Sequence, residues 1–465
     1  MSQALTNPAL LPLIATGALA AAALLLITAW RPPLGCIVLA LAIPLTGGIP
    51  RGTLVPLLRI NEALLLIVAA GVLIHELPRR RQLTFTGLDL IVVAYCLGGV
   101  LVPWAVLKLT AVDTTTDTWF NVLAPAQYLV VYLVFSRVDF SDRNLRLLVN
   151  VTLLSSVIVA LVALAELLNA PGVRQFIASY YPPPPPAPGD TSTVYRPTSL
   201  LGHFSAVGAF GLFNMTLALA LAAARDRAFP SIWLAVVMAL NAVGMLITET
   251  FAPLLAAPLV VVIIVLYARH IPWQLGLAPP AFLAAVIAFW PTVSARLLEQ
   301  RGVRGSLIPE SMQVRIGYWQ DFFLPSLLNH HAWLGTGTLI PSDVPGPLDS
   351  FVDNGYLWMA YRAGAPGVIL MLLLLGGIAV AGLSLRTSRD PWHIALGATC
   401  VAMVVSVALM EVTSEYLTFT SLTQEFWMLA GLLTAAVTQR RPAPTTFVAL
   451  SAAPPGRVGR GLPVR

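Results

Sequence analysis

The chain has 465 residues, of which 57% are hydrophobic and only 10% charged, with a mean hydropathy of +0.81. Those values exclude a soluble globular protein and point to an all-α polytopic membrane protein. The net charge of +6 is of the size that membrane topology signals need, and it implies no nucleic-acid partner.

Candidate spans cover residues 9–30, 34–49, 60–77, 87–107, 119–136, 146–168, 199–224, 231–248, 250–268, 274–293, 354–385, 391–413 and 421–438. Each reaches or approaches the ~20 apolar residues that cross a bilayer core, so about 12–13 transmembrane helices are expected. The runs are too long for outer-membrane barrel strands. The first lacks a basic leader, and is read as a retained span. Trp30, Trp119, Trp273, Trp290, Trp392 and Trp427 lie near span ends, as interfacial anchors do. Cys36, Cys96 and Cys400 fall inside apolar runs and suggest neither a disulfide framework nor a metal site.

Arginines set the orientation. Arg79, Arg80 and Arg81, then Arg137, Arg143, Arg146, Arg225, Arg227, Arg269, Arg386, Arg389, Arg440 and Arg441 fall on one side if the spans alternate, which makes that side cytoplasmic. The chain then divides into N-terminal transmembrane helices over 1–168, an outer Pro-rich loop over 169–198, and central helices over 199–293. A large outer loop over 294–353, C-terminal helices over 354–441 and a disordered cytoplasmic tail over 442–465 follow. The prolines from Pro182 to Pro186 form a stiff polyproline II spacer. Arginines in the large outer loop run against the topology bias, and anion binding is a reason for them.

Arg196, just before the seventh span, carries a forked, permanently charged guanidinium suited to a phosphate or diphosphate. The alternative is an interfacial Arg reaching lipid headgroups. Arg315 lies where apolar residues at 312, 316, 319, 322 and 323 fit a short amphipathic helix. Asp353 and Asn354 open an apolar helix. Asp353 is either its N-cap or a carboxylate able to take a proton from a sugar hydroxyl, with Tyr356 placed to contact a sugar. His330 and His331 lack a third ligand at zinc spacing, and Gly335 and Gly337 read as a turn rather than a phosphate cradle. Arg362, inside a span, needs a partner, with Glu411 and Glu415 as candidates.

The order of these features resembles the O-antigen ligase and Wzy-type polymerase superfamily. The features are Arg196 followed by Gly202-His203, then Arg315 with Trp319, then His331 with Gly335-Thr336-Gly337. Asp353-Asn354 and Gly364 with Gly367 complete them. The resemblance implies a GT-C-like helical bundle with a large periplasmic loop in the bacterial inner membrane. It implies a metal-independent glycosyltransferase, without cofactor, whose donor is an undecaprenyl-diphosphate-linked oligosaccharide. The lipid bilayer, a flippase and a chain-length regulator would be its partners.

On that resemblance Arg196 and Arg315 bind the lipid diphosphate, and Asp353 is the catalytic residue. His203, His331, Asn354, Tyr356, Arg59 and Glu249 are further substrate-binding candidates. Ligases of the family carry His where this chain has Asp353, which favours a polymerase over a ligase. The family's Ser-Arg before a middle span is replaced by Thr248-Glu249-Thr250, which leaves Arg59, Arg301 or Arg304 to take that charge. A transporter or flippase of lipid-linked sugars is the reading from another class.

Overall fold

The computed structural model describes residues 11–79, 85–110, 114–183, 195–277, 310–329 and 352–440. Short pieces at 283–284, 286–291, 294–295, 333–337, 340–341 and 343–348 are also described. The helices include α1 Leu11–Trp30, α2 Pro32–Thr46, α3 Ile60–Glu76, α4 Gly87–Leu109, α5 Thr116–Arg137, α6 Asp142–Leu167, α7 Val173–Tyr180, α8 Phe204–Ala223, α9 Ser231–Ile247, α10 Phe251–Ala268, α11 Glu310–Tyr318, α12 Gly355–Ser384, α13 Pro391–Met410 and α14 Thr420–Arg440. Among the described residues there is no strand, only an isolated bridge between Val55 and Leu58. Among the described residues eight helices are long and apolar enough to cross a membrane, and α2, α9 and Ala15–Trp30 within α1 are shorter apolar segments. The chain is therefore an all-α, multi-pass membrane protein. The expected span over 274–293 is described only in pieces, opening as the short 3-10 turn Trp273–Leu277, and parts of the loop over 294–353 fall outside the described residues. So do Pro184 to Pro188 and the tail over 442–465.

The bundle is built around α8, which carries no charge and is buried along most of its length. It packs on α6, α9, α10, α13 and α14. Small residues make that possible: Gly208 lies against Thr248 and Thr250, and Gly211 against the Asn241 carbonyl. The less apolar α14 is lined by buried Ser421, Thr423, Gln424, Glu425 and Thr434. Asn61 of α3 donates to Gln424 Oε1 at 2.8 Å. Trp427 is not an interfacial anchor. It is 1% exposed and sits among Tyr95, Tyr128, Tyr132 and Phe426. A position near the end of an apolar run does not tell whether the ring faces lipid or the bundle.

At the arginine-rich end, Asp89 closes a capping box with Thr86 at the start of α4. It also accepts from Tyr132 at 2.9 Å and from Arg137 Nη2 at 2.5 Å. Nearby, Arg386 after α12 donates to the Leu266 and Tyr267 carbonyls of α10. The opposite ends of the helices carry the site.

α12 is broken near its start. Ala363 and Gly364 leave helical geometry, Gly364 with φ 63° and ψ −161°, a region essentially reserved for glycine. Residues 333–337 fill the break: Thr336 N donates to the Tyr361 carbonyl at 2.6 Å. A Cβ on Gly364 would lie 2.1 Å from the Trp333 carbonyl oxygen, and one on Gly335 2.4 Å from that of Tyr361. Gly335-Thr336-Gly337 is thus a turn plugging a broken helix, and the irregular backbone is buried in protein, as membranes require.

Arg362 stands beside the break, 6% exposed. Its partners are backbone carbonyls rather than the expected Glu411 or Glu415. Nε and Nη2 donate to Gly99 O at 3.2 and 3.1 Å, and Nη2 to Asn121 O at 2.6 Å and Val122 O at 3.0 Å. The reason lies in two prolines. Pro103 in α4 and Pro125 in α5 lack the N–H that would bond the carbonyl four residues earlier. Those carbonyls belong to Gly99 and Asn121. One guanidinium satisfies both and joins α4, α5 and α12.

Candidate functional site

The hub of the site is the turn Glu411–Phe419 between α13 and α14, on which the starts of α8, α12 and α14 converge. Gly355 N donates to Glu411 O at 2.7 Å, and Leu417 N to Glu411 Oε1 at 2.7 Å. A Cβ on Gly355 would lie 1.4 Å from Glu411 Oε2, so the glycine makes room for the buried carboxyl. Burial pushes the Glu411 carboxyl well above its ordinary range.

Asn354 is the N-cap of α12. Its Oδ1 accepts from Tyr356 N and Leu357 N, both at 3.0 Å, and its Nδ2 donates to Val412 O at 3.3 Å. Asp353, one residue earlier with φ 48°, is not the cap, which corrects that reading. Its Oδ2 instead accepts from Arg315 Nε at 3.0 Å, while Arg315 Nη1 donates to Thr413 O at 2.9 Å. Arg315 reaches this point from α11, where the expected amphipathic helix runs on through a π turn at Trp319–Phe323. Trp319 Nε1 donates to Val352 O at 2.8 Å and fixes α11 on the chain that delivers Asp353. Glu415 is the third ionisable group at this corner. Its burial, and then the like charge of Asp353, push its carboxyl up to about 7.

Arg196 is near enough to the same turn for its charge to act on Tyr416. The segment Tyr195–Ser199 is anchored by Glu166, a fully buried carboxylate near the end of α6. Glu166 accepts from Tyr195 OH at 2.7 Å, Thr198 N at 3.1 Å and Ser199 N at 2.7 Å. Arg196 Nε then donates to Thr248 O at 3.0 Å, and Nη2 reaches Glu249 O and Thr250 Oγ1 at 3.4 Å. These oxygens lie at the C-terminal, negative end of α9. The guanidinium also covers the Phe204 ring at 3.4 Å.

His203 caps α8 by accepting Ser205 N–H on Nδ1 at 3.1 Å, and its ring stacks on Phe419 at 4.5 Å. Burial, then the charge of Arg196, lower it to about 3, so it is neutral at physiological pH. Burial raises the Tyr416 hydroxyl, against the charges of Arg315 and Arg196, both of which act on it.

The structure therefore brings His203, Arg315 and Asn354 onto one turn, with Asp353 held there by Arg315 and Arg196 near enough for its charge to act on Tyr416. Tyr356 is beside them, but its hydroxyl donates to Ala408 O at 2.8 Å. Glu249 stands in the α9–α10 turn with φ 53° and meets Arg196 through its backbone. Arg59 caps the start of α3 and donates to Thr420 Oγ1. His331, Arg301 and Arg304 lie outside the described residues.

Sequence reasoning missed Glu166 as the anchor of Arg196. The signal was an acid inside an otherwise apolar span. It also missed Tyr416 and Phe419 as the surface on which the cluster closes, for which the sequence offers no comparable mark. Among the described residues no group of three His, Cys, Asp or Glu side chains could hold a metal ion. No family model matches the chain, and no curated protein does.

Proposed function

We propose that the chain is a membrane glycosyltransferase that polymerises oligosaccharide repeats carried on undecaprenyl diphosphate, acting on the outer face of the inner membrane. The observation that carries this reading is the Arg315–Asp353 ion pair, placed with Arg196 and His203 around the α13–α14 turn at one end of an apolar bundle. Two guanidiniums and a carboxylate at a membrane face suit a reaction in which a diphosphate leaves and a hydroxyl attacks.

In this reading a sugar hydroxyl of one lipid-linked unit attacks the anomeric carbon of the other. A new C–O bond forms as the bond to the diphosphate breaks, and the electron pair leaves on undecaprenyl diphosphate. Arg196 and Arg315 stabilise that developing charge, electrostatic work best done where water is scarce. Asp353 takes the hydroxyl proton. Its Oδ2 is oriented by Arg315, which leaves Oδ1 for the hydroxyl. Deletion of the chain should remove a cell-envelope polymer and leave short lipid-linked repeats. Unchanged envelope glycans would reject the reading.

A further inference from the structure

We propose that the cavity between α2, α3, α8 and α14 is a binding site for a phosphate or diphosphate headgroup, separate from the Arg196 and Arg315 contacts. The cavity is about 250 Å³, and among the described residues Arg59 is the one charged residue lining it. Among the described residues no carboxylate lines it. Arg59 gives one N–H to Thr420 Oγ1, while its buried Nε has no partner among the described residues. The nearest acid, Glu62, is already engaged, by Arg51 Nη2 at 2.7 Å and by Arg59's own backbone N–H at 3.0 Å. Burial, and then the charge of Arg51, work against the Arg59 guanidinium. A bound anion would relieve both penalties.

The backbone adds to this. Arg59 is the N-cap of α3, and Thr420 and Ser421 open α14. Gly202 stands two residues before α8. Three helices of 17 residues or more thus start at one cavity, with the positive ends of their dipoles toward it. Gly48 and Gly202 bring their backbones together at its wall, since a Cβ on Gly48 would lie 2.6 Å from Gly202 N. Binding of an anion here does not depend on any transfer reaction, so the inference stands or falls apart from the proposed polymerase.

The test uses the full chain in phosphatidylcholine nanodiscs. Pro50 lines this cavity and is exposed, and the three native cysteines are buried. Pro50→Cys therefore gives a local thiol whose reaction with a neutral hydrophilic maleimide can be timed. Inorganic pyrophosphate at ten times its Kd should slow that reaction roughly ten-fold, because only the empty fraction reacts. Arg59→Gln should remove the protection, Arg59→Lys should keep part of it, and Arg315→Gln should keep all of it. Protection in phosphatidylglycerol discs without added pyrophosphate would support the site and name a bilayer headgroup as its occupant. Protection by farnesyl diphosphate, but not by phosphatidylglycerol, would support it and name a diphosphate lipid. An unchanged rate with every one of these anions overturns the proposal, as does protection that persists in Arg59→Gln.

Discussion

Arg315 and Asp353 meet at 3.0 Å across the junction between α11 and the start of α12. Both side chains remain partly exposed, at 32% and 26%, so the pair lies in reach of a ligand. An exposed pair of this kind adds little stability by itself. Arg315 also holds Thr413 O, so it docks α11 onto the α13–α14 turn. Arg315→Ala should therefore abolish polymer and loosen α11, while Arg315→Lys should restore little, since one ammonium cannot hold both oxygens in the same fork geometry. Polymer yield and limited proteolysis in the 310–329 region would check the two effects separately.

The capping task belongs to Asn354. Asn354→Ala should remove three backbone contacts, two of them the cap of α12, and destabilise the start of α12 by about 1 kcal/mol. A thermal melt in detergent measures it, and Asp353→Ala should move the melt less.

Arg362 should be worth more to stability than any residue of the site. Arg362→Met leaves the Gly99 and Asn121 carbonyls buried without a donor. Each orphaned group costs about 1–3 kcal/mol, so the loss should be several-fold larger than that of a helix cap. Pro103→Ala and Pro125→Ala return the missing N–H groups and should recover part of it in the Arg362→Met background. A double-mutant cycle with no recovery would refute the proline account.

Glu415 gives a pH signature. Its folded value of about 7 stands above the ordinary 4.5, so the folded state holds a proton that the unfolded state has lost. Stability from this group is fully present below about pH 4.5 and falls as pH rises toward 7. His203, lowered to about 3, acts in the opposite direction in part of that window, so the comparison must be with Glu415→Gln. Relative to the parent, that variant should lose the decline between pH 4.5 and 7, as read by melting temperature across pH.

Much of the architecture was legible before the structure. Apolar runs locate the helices because a bilayer needs ~20 such residues, and the helix near Arg315 follows from its apolar spacing. What was not legible is pairing across distance. Asp353 and Asn354 are equally good caps by residue type, and only the left-handed backbone at Asp353 assigns the task to Asn354. Glu166 meets Thr198 and Ser199 only because α6 and the start of α8 pack together. The partners of Arg362 could have been found, since a proline frees the carbonyl four residues earlier. That rule does not say which guanidinium arrives.

The central claim rests on the Asp353 carboxylate as proton acceptor, and Asp353→Asn tests it most directly. Because Asn354 carries the cap, the substitution should leave insertion, α12 and the melt as in the parent. The Asn amide cannot take up a proton at neutral pH. Purified protein given undecaprenyl-diphosphate-linked repeats should therefore polymerise about 10²–10⁴-fold more slowly as Asp353→Asn, with Asp353→Glu retaining some activity. Parent-like polymerisation by a correctly inserted Asp353→Asn would contradict the account.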